Sequence, residues 1–264
     1  AEGFTTIEEV LRATQDAARK GSFRVVQIVN NAPETAVVDF NLTRKPMSEL
    51  KVRQALFHAI DRKRIVQDVY QGLADTAKNA IPTQFKDLHD PAVNYDTLYA
   101  YDPVRAGKLL DEAGYPLKDG KRFALELTVI SVPPYDAVAK VVQSQWAAIG
   151  VDVKLSALDL QIWLNKVYSE RNFDASVISL TGRTNPVLGV DRSFVCNQGK
   201  VPFANPTGYC NAEFNKVAQE ASAAPLGRQR EWYRKYEEII ARDLPQLQLA
   251  NSQVFEAVSS RLHG

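Results

Sequence analysis

The 264-residue sequence is 45% hydrophobic and 24% charged, which is an ordinary composition for a globular protein. Its 32 Lys and Arg residues nearly balance its 31 Asp and Glu residues, and no basic stripe indicates a nucleic-acid partner. No apolar run has the length of a membrane span, and the N-terminus lacks a signal-peptide pattern. That N-terminus fits a cytosolic protein, a processed secreted protein or a trimmed one.

The first half of the chain predicts two neighbouring strands between helices. No helix separates these strands, so we expect them to form an antiparallel or crossing pair. Asp61 and Asp102 are suited to cap helices, because an aspartate side chain can accept hydrogen bonds from free backbone N–H groups. The predicted elements are a helix over residues 5–20, strands over 23–29 and 35–42, a helical region over 52–71 and a helix over 103–113.

The second half alternates strands and helices, which is typical of a parallel sheet covered by helices. Two further helices and a final strand follow this alternation. The predicted elements are strands 123–131, 151–157 and 173–180 with helices 134–149 and 159–170 between them, then helices 211–222 and 225–242 and a strand over 247–250.

A long polar loop follows the apolar strand that ends at Leu180. The loop is rich in Gly, Pro, Asn and Thr, and it continues to Cys210. In α/β proteins, loops that follow buried strands commonly carry ligand contacts. The sequence therefore predicts that this loop binds a small solute.

The chain has two cysteines, Cys196 and Cys210, on either side of a Gly/Pro/Asn-rich segment. A disulfide between them would stabilise the loop by roughly 2–4 kcal/mol and would favour an oxidising compartment. Two unpaired thiols are the alternative. A zinc site is not expected, because no histidine has ligand spacing with either cysteine.

Several segments resemble, in order and spacing, the solute-binding proteins of ABC transporters that carry peptides, nickel and related solutes. The likeness extends from about residue 20 to residue 258 and is greatest to dipeptide-binding proteins, some of which have a cysteine pair at these positions. The segments are FNLTRKPMSELKVRQALFHAIDRKRIVQDVYQG, AIP, YAYDPVRAGKLLDEAGYP, AKVVQSQWAAIGVDVKL, FDASVISLTGR, YCNAEFNKVAQEA and ARDLPQLQLANSQVF.

The resemblance implies one α/β lobe of a type II periplasmic-binding-protein clamshell, with a mixed, mostly parallel sheet flanked by helices. Family members are longer, so the chain is interpreted as the C-terminal lobe over residues 36–258. Residues 1–35 would precede the hinge, and residues 259–264 would form a tail. The hinge strand would include Phe40 and Asn41. The implied protein is a periplasmic, monomeric partner of a membrane permease, with no cofactor and no metal.

The resemblance also places the ligand contacts. Peptide binders have an aromatic-X-X-Asp quartet at this strand end, and here it reads Leu180, Thr181, Gly182, Arg183. An arginine would repel a peptide amine and could bind a carboxylate or phosphate. We therefore expect an anionic or polyhydroxylated solute. The expected ligand-binding residues are Thr181, Gly182, Arg183, Thr184, Asn185 and Tyr135.

Other interpretations are open at this point. Arg183 could instead form a surface salt bridge with Asp191 or Asp174. A cytosolic ligand-sensing lobe of a transcription regulator is the main functional alternative, and a disulfide argues against it. An enzyme is not expected, because nucleophile-elbow, phosphate-loop and dinucleotide motifs are all absent. A protein-interaction module would need a large exposed apolar patch, which the pattern lacks.

Overall fold

The computed structural model describes most of the chain between residues 34 and 259. The predicted helix over residues 5–20 falls largely outside the described part, as do four of the expected ligand residues, Gly182 to Asn185. The described residues are 12, 16, 20–21, 23–28, 34–181, 186–252 and 254–259, with the backbone alone for 23–28, 187–188, 226 and 254–259.

Most predicted strands and helices are present. The strands are β1 (Phe23–Ile28), β2 (Glu34–Phe40), β3 (Ala74–Thr76), β4 (Phe123–Ile130), β5 (Val151–Leu158), β6 (Ala175–Thr181), β7 (Gln246–Ser252) and β8 (Val254–Ser259). The helices are α1 (Leu50–His58), α2 (Arg62–Asp68), α3 (Tyr95–Leu98), α4 (Pro103–Glu112), α5 (Tyr135–Ala148), α6 (Leu160–Leu164), α7 (Pro186–Gly189), α8 (Ala212–Ala223) and α9 (Gln229–Asp243). Elements β3, β8, α3 and α7 were not predicted, and the helix expected over 159–170 is α-helical only to Leu164, with a π-helical turn over Asn165–Ser169.

Helix starts follow the predicted caps. The Asp61 side chain accepts hydrogen bonds from the backbone N–H groups of Lys63 and Arg64 at the start of α2. Asp102 accepts one from Arg105 at the start of α4, with Pro103 in the first turn. These contacts satisfy backbone donors that have no partner within the helix. The helical region 52–71 is therefore two helices, separated at Asp61.

The central sheet has six strands in the order β3-β7-β2-β6-β4-β5. Strand β4 pairs in parallel with β5 and β6, as the β-α-β-α-β alternation predicts. Strand β2 is antiparallel to both β6 and β7, and β3 is antiparallel to β7. Strands β4, β5, β6 and β7 therefore point the same way. The sheet is mixed, with three antiparallel and two parallel neighbouring pairs, rather than mostly parallel as expected.

The predicted pairing of the first two strands is wrong. Strand β1 pairs with β8 in a separate antiparallel ribbon, while both edges of β2 are occupied by β6 and β7. A strand that is buried on both faces in the middle of a sheet gains more from two long-range partners than from one neighbour. This preference depends on the whole fold and is not visible in the local sequence.

The two faces of the sheet differ in chemistry. One face is apolar: Ala36, Val38 and Phe40 of β2 point into the main core, where Phe40 stacks on Trp146 at 6.2 Å between ring centroids. The other face carries Trp163 and buried polar side chains as well as apolar ones. A third cluster packs α8 and α9 beneath the cysteine loop, around Phe214.

Candidate functional site

The carboxyl ends of β4, β6 and β7 meet the amino end of β2 at one edge of the sheet. The register places Glu34, the first residue of β2, opposite both Thr181 and Ser252, the last residues of β6 and β7. Ligands of open α/β sheets bind beyond the carboxyl ends of the strands. This edge of the sheet, the site edge, is therefore the candidate ligand-binding site.

Tyr135 joins this edge through a hydrogen bond. It begins α5, and its hydroxyl donates to Glu34 Oε1 at 3.2 Å. Burial and the nearby Glu34 carboxylate raise the pKa of Tyr135 to about 12, so the phenol keeps its proton at neutral pH. Of the expected ligand residues that are described, Tyr135 and Thr181 thus lie at the same edge, since Thr181 pairs with Glu34.

Tyr70 is a further aromatic residue near this edge. It is almost fully buried, and its hydroxyl is hydrogen-bonded to Ser179, two residues before the end of β6. Burial, with the charge of Glu34 beside it, raises the pKa of Tyr70. The edge thus brings a carboxylate and two protonated phenols together.

Near the opposite end of β2, a row of buried polar side chains crosses four strands. Cross-strand pairing aligns Thr128 with Ser176, Ser176 with Asp39, and Asp39 with Gln246. The indole N–H of Trp163 donates to Ser176 Oγ at 3.0 Å. Burial raises the pKa of Asp39 to about 7, although the hydrogen bond from Gln246 opposes the shift. A buried polar row on a sheet face costs desolvation free energy, so it needs a reason beyond packing.

The polar contacts continue along β7 towards the site edge. Gln246 Nε2 donates to Asp39 Oδ1 at 2.6 Å, and Gln248 Nε2 donates to Gln246 Oε1 at 2.8 Å. Closer to the site edge, Thr35 Oγ1 donates a hydrogen bond to Asn251 Oδ1 at 2.8 Å. Among the described residues of this polar face, the side-chain atoms buried without a hydrogen-bond partner are Asp39 Oδ2, Thr128 Oγ1, Gln248 Oε1 and Asn251 Nδ2.

A small cavity lies against this polar face. Its accessible volume of about 20 Å³ is room for about one water molecule. Thr35, Leu180 and Gln248 line it from the sheet. The segment before Cys196 covers it through Gly189, Val190, Ser193 and Phe194. Thr35 and Leu180 lie one residue inside the strand ends at Glu34 and Thr181, so the cavity adjoins the site edge.

The loop wall of the cavity is held by buried polar contacts. Asp191, at the start of a short 3₁₀ turn, is 7% exposed, and burial raises its pKa to about 7. Its backbone carbonyl accepts hydrogen bonds from the N–H groups of Phe194 at 3.0 Å and Val195 at 2.9 Å, which hold the turn together. Arg192 accepts a backbone hydrogen bond from Asn205 at 2.7 Å, which ties the wall to the rest of the loop.

Cys196 and Cys210 form a disulfide, with 2.03 Å between the sulfur atoms. Inside the closed loop, Asn205 is fully buried and its Nδ2 donates to the carbonyl oxygens of Phe194, Val195 and Tyr209 at 2.8–3.2 Å. The loop wall is therefore fixed both by the covalent bond and by this asparagine.

A second wall of the cavity comes from the long connection between β3 and α3, through Ala80 and Pro82. Glu237 of α9, which has no exposed surface, anchors this connection by accepting a hydrogen bond from the backbone N–H of Asp90 at 2.8 Å. Burial raises the pKa of Glu237 to about 7, and the hydrogen bond with His89 lowers it.

The sequence-predicted residues divide into two groups. Thr181 is exposed at the site edge and Tyr135 is half-buried there, whereas Gly182, Arg183, Thr184 and Asn185 lie outside the described residues. The alternative salt bridges of Arg183 lie outside the described residues with it, and Asp174 pairs with Arg44 at 3.6 Å.

Sequence reasoning missed the residues of the polar face. The segment Gln246 to Leu249 alternates glutamine and leucine, and the segment Thr35 to Asp39 alternates polar and apolar positions less regularly. Alternation with period two in a strand indicates one polar face. That signal could have identified Gln246 and Gln248, but not the cavity beside them.

The expected hinge residues lie far from this edge. Phe40 and Asn41 end β2 at the opposite side of the sheet, and both are buried in the described structure. Asn41 Nδ2 donates to the carbonyl oxygens of Arg171 and Phe173 at 2.8 and 2.9 Å. A hinge function of these two residues stays a prediction.

No group of three or more histidine, cysteine or acidic side chains is arranged to hold a metal ion within the described ranges. None of the helices described here is both long enough and apolar enough to span a bilayer.

Known proteins of similar sequence are solute-binding proteins. The Escherichia coli K12 dipeptide-binding protein is 28% identical over 233 residues, covering 86% of this chain and 42% of that protein. Heme-binding protein A of Haemophilus influenzae is 28% identical over 238 residues, covering 87% of this chain and 41% of its own length. The chain thus spans less than half the length of these relatives. All are binding proteins by name, which agrees with the expectation that the chain is not an enzyme.

A solved structure of a similar protein has the same fold. The dipeptide-binding protein from Pseudoalteromonas sp. SM9913 in complex with Met-Leu matches with a TM-score of 0.81 at 25% identity, over 98% of this chain and 49% of that one. This match confirms the predicted fold class. Residues 7–200 match the bacterial extracellular solute-binding proteins, family 5 (middle region). Because the match covers more than half of the sequence, the chain belongs to the family 5 bacterial extracellular solute-binding proteins.

Proposed function

We propose that this chain is one lobe of the extracytoplasmic solute-binding component of an ABC importer, and that it delivers a small solute to a membrane permease. The observation that carries the proposal is the site edge, where Glu34, Thr181 and Tyr135 meet above a cavity at the carboxyl ends of the strands. The family membership supports it. A cytosolic regulator is disfavoured by the Cys196–Cys210 disulfide, because the cytosol is reducing.

The ribbon of β1 and β8 fits a two-lobed protein. Strand β1 precedes β2, which begins at the site edge. Strand β8 follows β7, which ends at the same edge, and a single residue separates β7 from β8. The ribbon therefore leaves the sheet at the site edge. Two paired strands at this position would connect the lobe to a second one. Closure of the second lobe over the edge would exclude water from the solute.

The proposed solute is peptide-like or carries an anionic or polyhydroxylated group. The relatives named above bind dipeptides and heme, and Arg183 in place of the peptide binders' acid favours an anionic partner. We propose Thr181, Gly182, Arg183, Thr184, Asn185 and Tyr135 as its contacts. The carboxylate of Glu34 beside Tyr135 adds a place for a cationic or hydroxyl group of the same solute.

The test is a solute screen on the two-lobed protein in its periplasmic form. Thermal-shift measurements with dipeptides, sugar acids and organic phosphates should identify a stabilising class, and titration calorimetry should give its affinity. Arg183→Ala is expected to weaken binding of an anionic solute by more than tenfold, since a charge-assisted hydrogen bond contributes roughly 1.5–3 kcal/mol. Lys154→Ala on β5 is a matched control for charge. Unchanged affinity in the Arg183 variant would contradict the assigned contact.

A further inference from the structure

Gln246, Gln248 and Asn251 all face Asp39 and Thr35 only because β7 is irregular. The register between β2 and β7 shifts at Ala36 and Val37, so that Val37 is opposite Gln248 while Ala36 is opposite Ala250. An extra residue in one strand turns the following side chains to the other face. Bulges of this kind are frequent next to functional sites, where they direct a side chain.

The hydrogen bonds along this face have a fixed direction when Asp39 is ionised. A carboxylate only accepts hydrogen bonds, so Gln246 must turn its amide nitrogen towards Asp39. Its oxygen then faces Gln248, which must turn its own amide nitrogen back to it. The Gln248 oxygen is left over, and it is the atom without a partner in a side chain that is only 2% exposed and lines the cavity.

The cavity therefore offers acceptors. Gln248 Oε1 has free lone pairs, and Thr35 uses its hydroxyl proton on Asn251, which leaves the Thr35 oxygen free to accept as well. An unmatched buried acceptor costs about 1–3 kcal/mol. A donor group the size of a water molecule would remove this cost.

We propose that the cavity is a subsite for one hydrogen-bond donor of the solute, a hydroxyl or ammonium group, and that Asp39 fixes its acceptor character through Gln246 and Gln248. The proposal rests on the solute-binding function proposed above. Gln248 is the contacting residue, while Asp39 and Gln246 are positioning residues that act through it.

The orientation of Gln248 can be tested without a solute. We would label the glutamine side chains of this chain with ¹⁵N and record nuclear Overhauser spectra at pH 8.5, where Asp39, with a pKa of about 7, carries its charge. The Gln248 amide protons should show contacts to Gln246 and none to the Val190 methyl groups across the cavity. Amide contacts to Val190 would show the opposite orientation and would overturn the proposal.

The subsite itself is tested with gluconate and L-alanyl-L-alanine as probes of the two-lobed protein at the same pH. For whichever probe binds, Asp39→Asn and Gln248→Met should each weaken binding by roughly five- to tenfold, the effect of one lost hydrogen bond. Because Asp39 acts through Gln248, the double variant should bind no more weakly than Gln248→Met alone. A purely structural effect of Asp39 would instead add to that of Gln248.

Ser176→Ala is the matched control. Ser176 is a fully buried polar neighbour of Asp39 in the same row, but it does not line the cavity, so this variant should bind within twofold of the wild type. Wild-type affinity in Asp39→Asn or Gln248→Met overturns the subsite, and the solute-binding function stands if Arg183→Ala still loses affinity. If neither probe binds, gluconate-like and dipeptide-like solutes are both excluded. The measured orientation of the Gln248 side chain then supports or overturns the proposed positioning by Asp39 and Gln246.

Discussion

Asn41 and Asn205 make the same set of hydrogen bonds in two segments that lie side by side. Each side-chain oxygen accepts from the backbone N–H and the hydroxyl of the threonine two residues later, Thr43 and Thr207, at 2.6–3.1 Å. Each amide nitrogen donates to backbone carbonyls of a neighbouring loop. The backbone N–H of Leu42 donates to Thr207 at 2.8 Å and joins the two segments. Two Asn-X-Thr sequences therefore anchor the loops of this lobe.

Replacing Asn205 with Asp should destabilise the protein strongly. The substitution turns a donor to three carbonyl oxygens into an acceptor in a fully buried position. Since each unmatched buried polar group costs about 1–3 kcal/mol, we expect a loss of at least about 3 kcal/mol in urea unfolding. Asn94→Asp is the control, because Asn94 caps α3 through its oxygen and an aspartate keeps that contact. Equal stability of the two variants would contradict this role.

Loss of the disulfide should lower stability without displacing the loop wall. A loop of about 15 residues predicts roughly 3 kcal/mol from the chain-entropy estimate, acting mainly on the unfolded state. Because Asn205 still fixes the loop wall, Cys196→Ser with Cys210→Ser should lower the melting temperature but leave the far-UV dichroism and the aromatic near-UV bands unchanged. Dithiothreitol should lower the melting temperature of the wild type and leave that of the double variant unchanged. A disordered loop in that variant would show that the disulfide alone shapes the wall.

Arg53 should stabilise the C-terminal end of α9. It is buried, and its guanidinium donates to the carbonyl oxygens of Met47, Asp243 and Leu244 at 2.7–2.9 Å. Leu244 itself adopts the left-handed conformation (φ 49°) that ends the helix. Arg53→Met leaves three carbonyl groups without a donor, so we expect a loss of about 2–4 kcal/mol in the free energy of unfolding. The same substitution at exposed Arg64 should cost less than about 0.5 kcal/mol.

Stability should fall as pH rises from mildly acidic to neutral values. Burial raises the pKa values of Asp39, Asp191 and Glu237 to about 7. Between about pH 4 and pH 7 these groups hold their protons in the folded state and have lost them in the unfolded state. The folded state therefore binds more protons, so the free energy of unfolding decreases across this window and levels off above it.

The pH dependence can be assigned with one variant. Urea unfolding at pH 5, 6, 7 and 8 should show a shallower slope for Glu237→Gln, which keeps an oxygen for the Asp90 N–H but carries no charge. Glu238→Gln on the exposed side of the same helix should leave the slope unchanged. A wild-type stability that rises from pH 5 to pH 7 would contradict the assignment of these three groups.

The sequence by itself determined the local elements and the family. Caps such as Asp61 and Asp102, the β-α-β-α-β alternation and the cysteine pair are signals carried by residues close together in the chain, where hydrogen bonds and periodicity act over a few positions. The fold class and the parallel unit were predictable for that reason.

Only the tertiary structure decided which distant strands meet. The pairing of β2 with β7 brings Asp39 next to Gln246, 207 positions away in sequence, and the pairing of β1 with β8 replaced the expected pair of neighbouring strands. A strand's partner and register depend on the burial of both faces across the whole sheet, and a single bulge in β7 sets Gln248 opposite Val37 and Asn251 opposite Thr35. The polar face, and the subsite proposed on it, follow from that geometry.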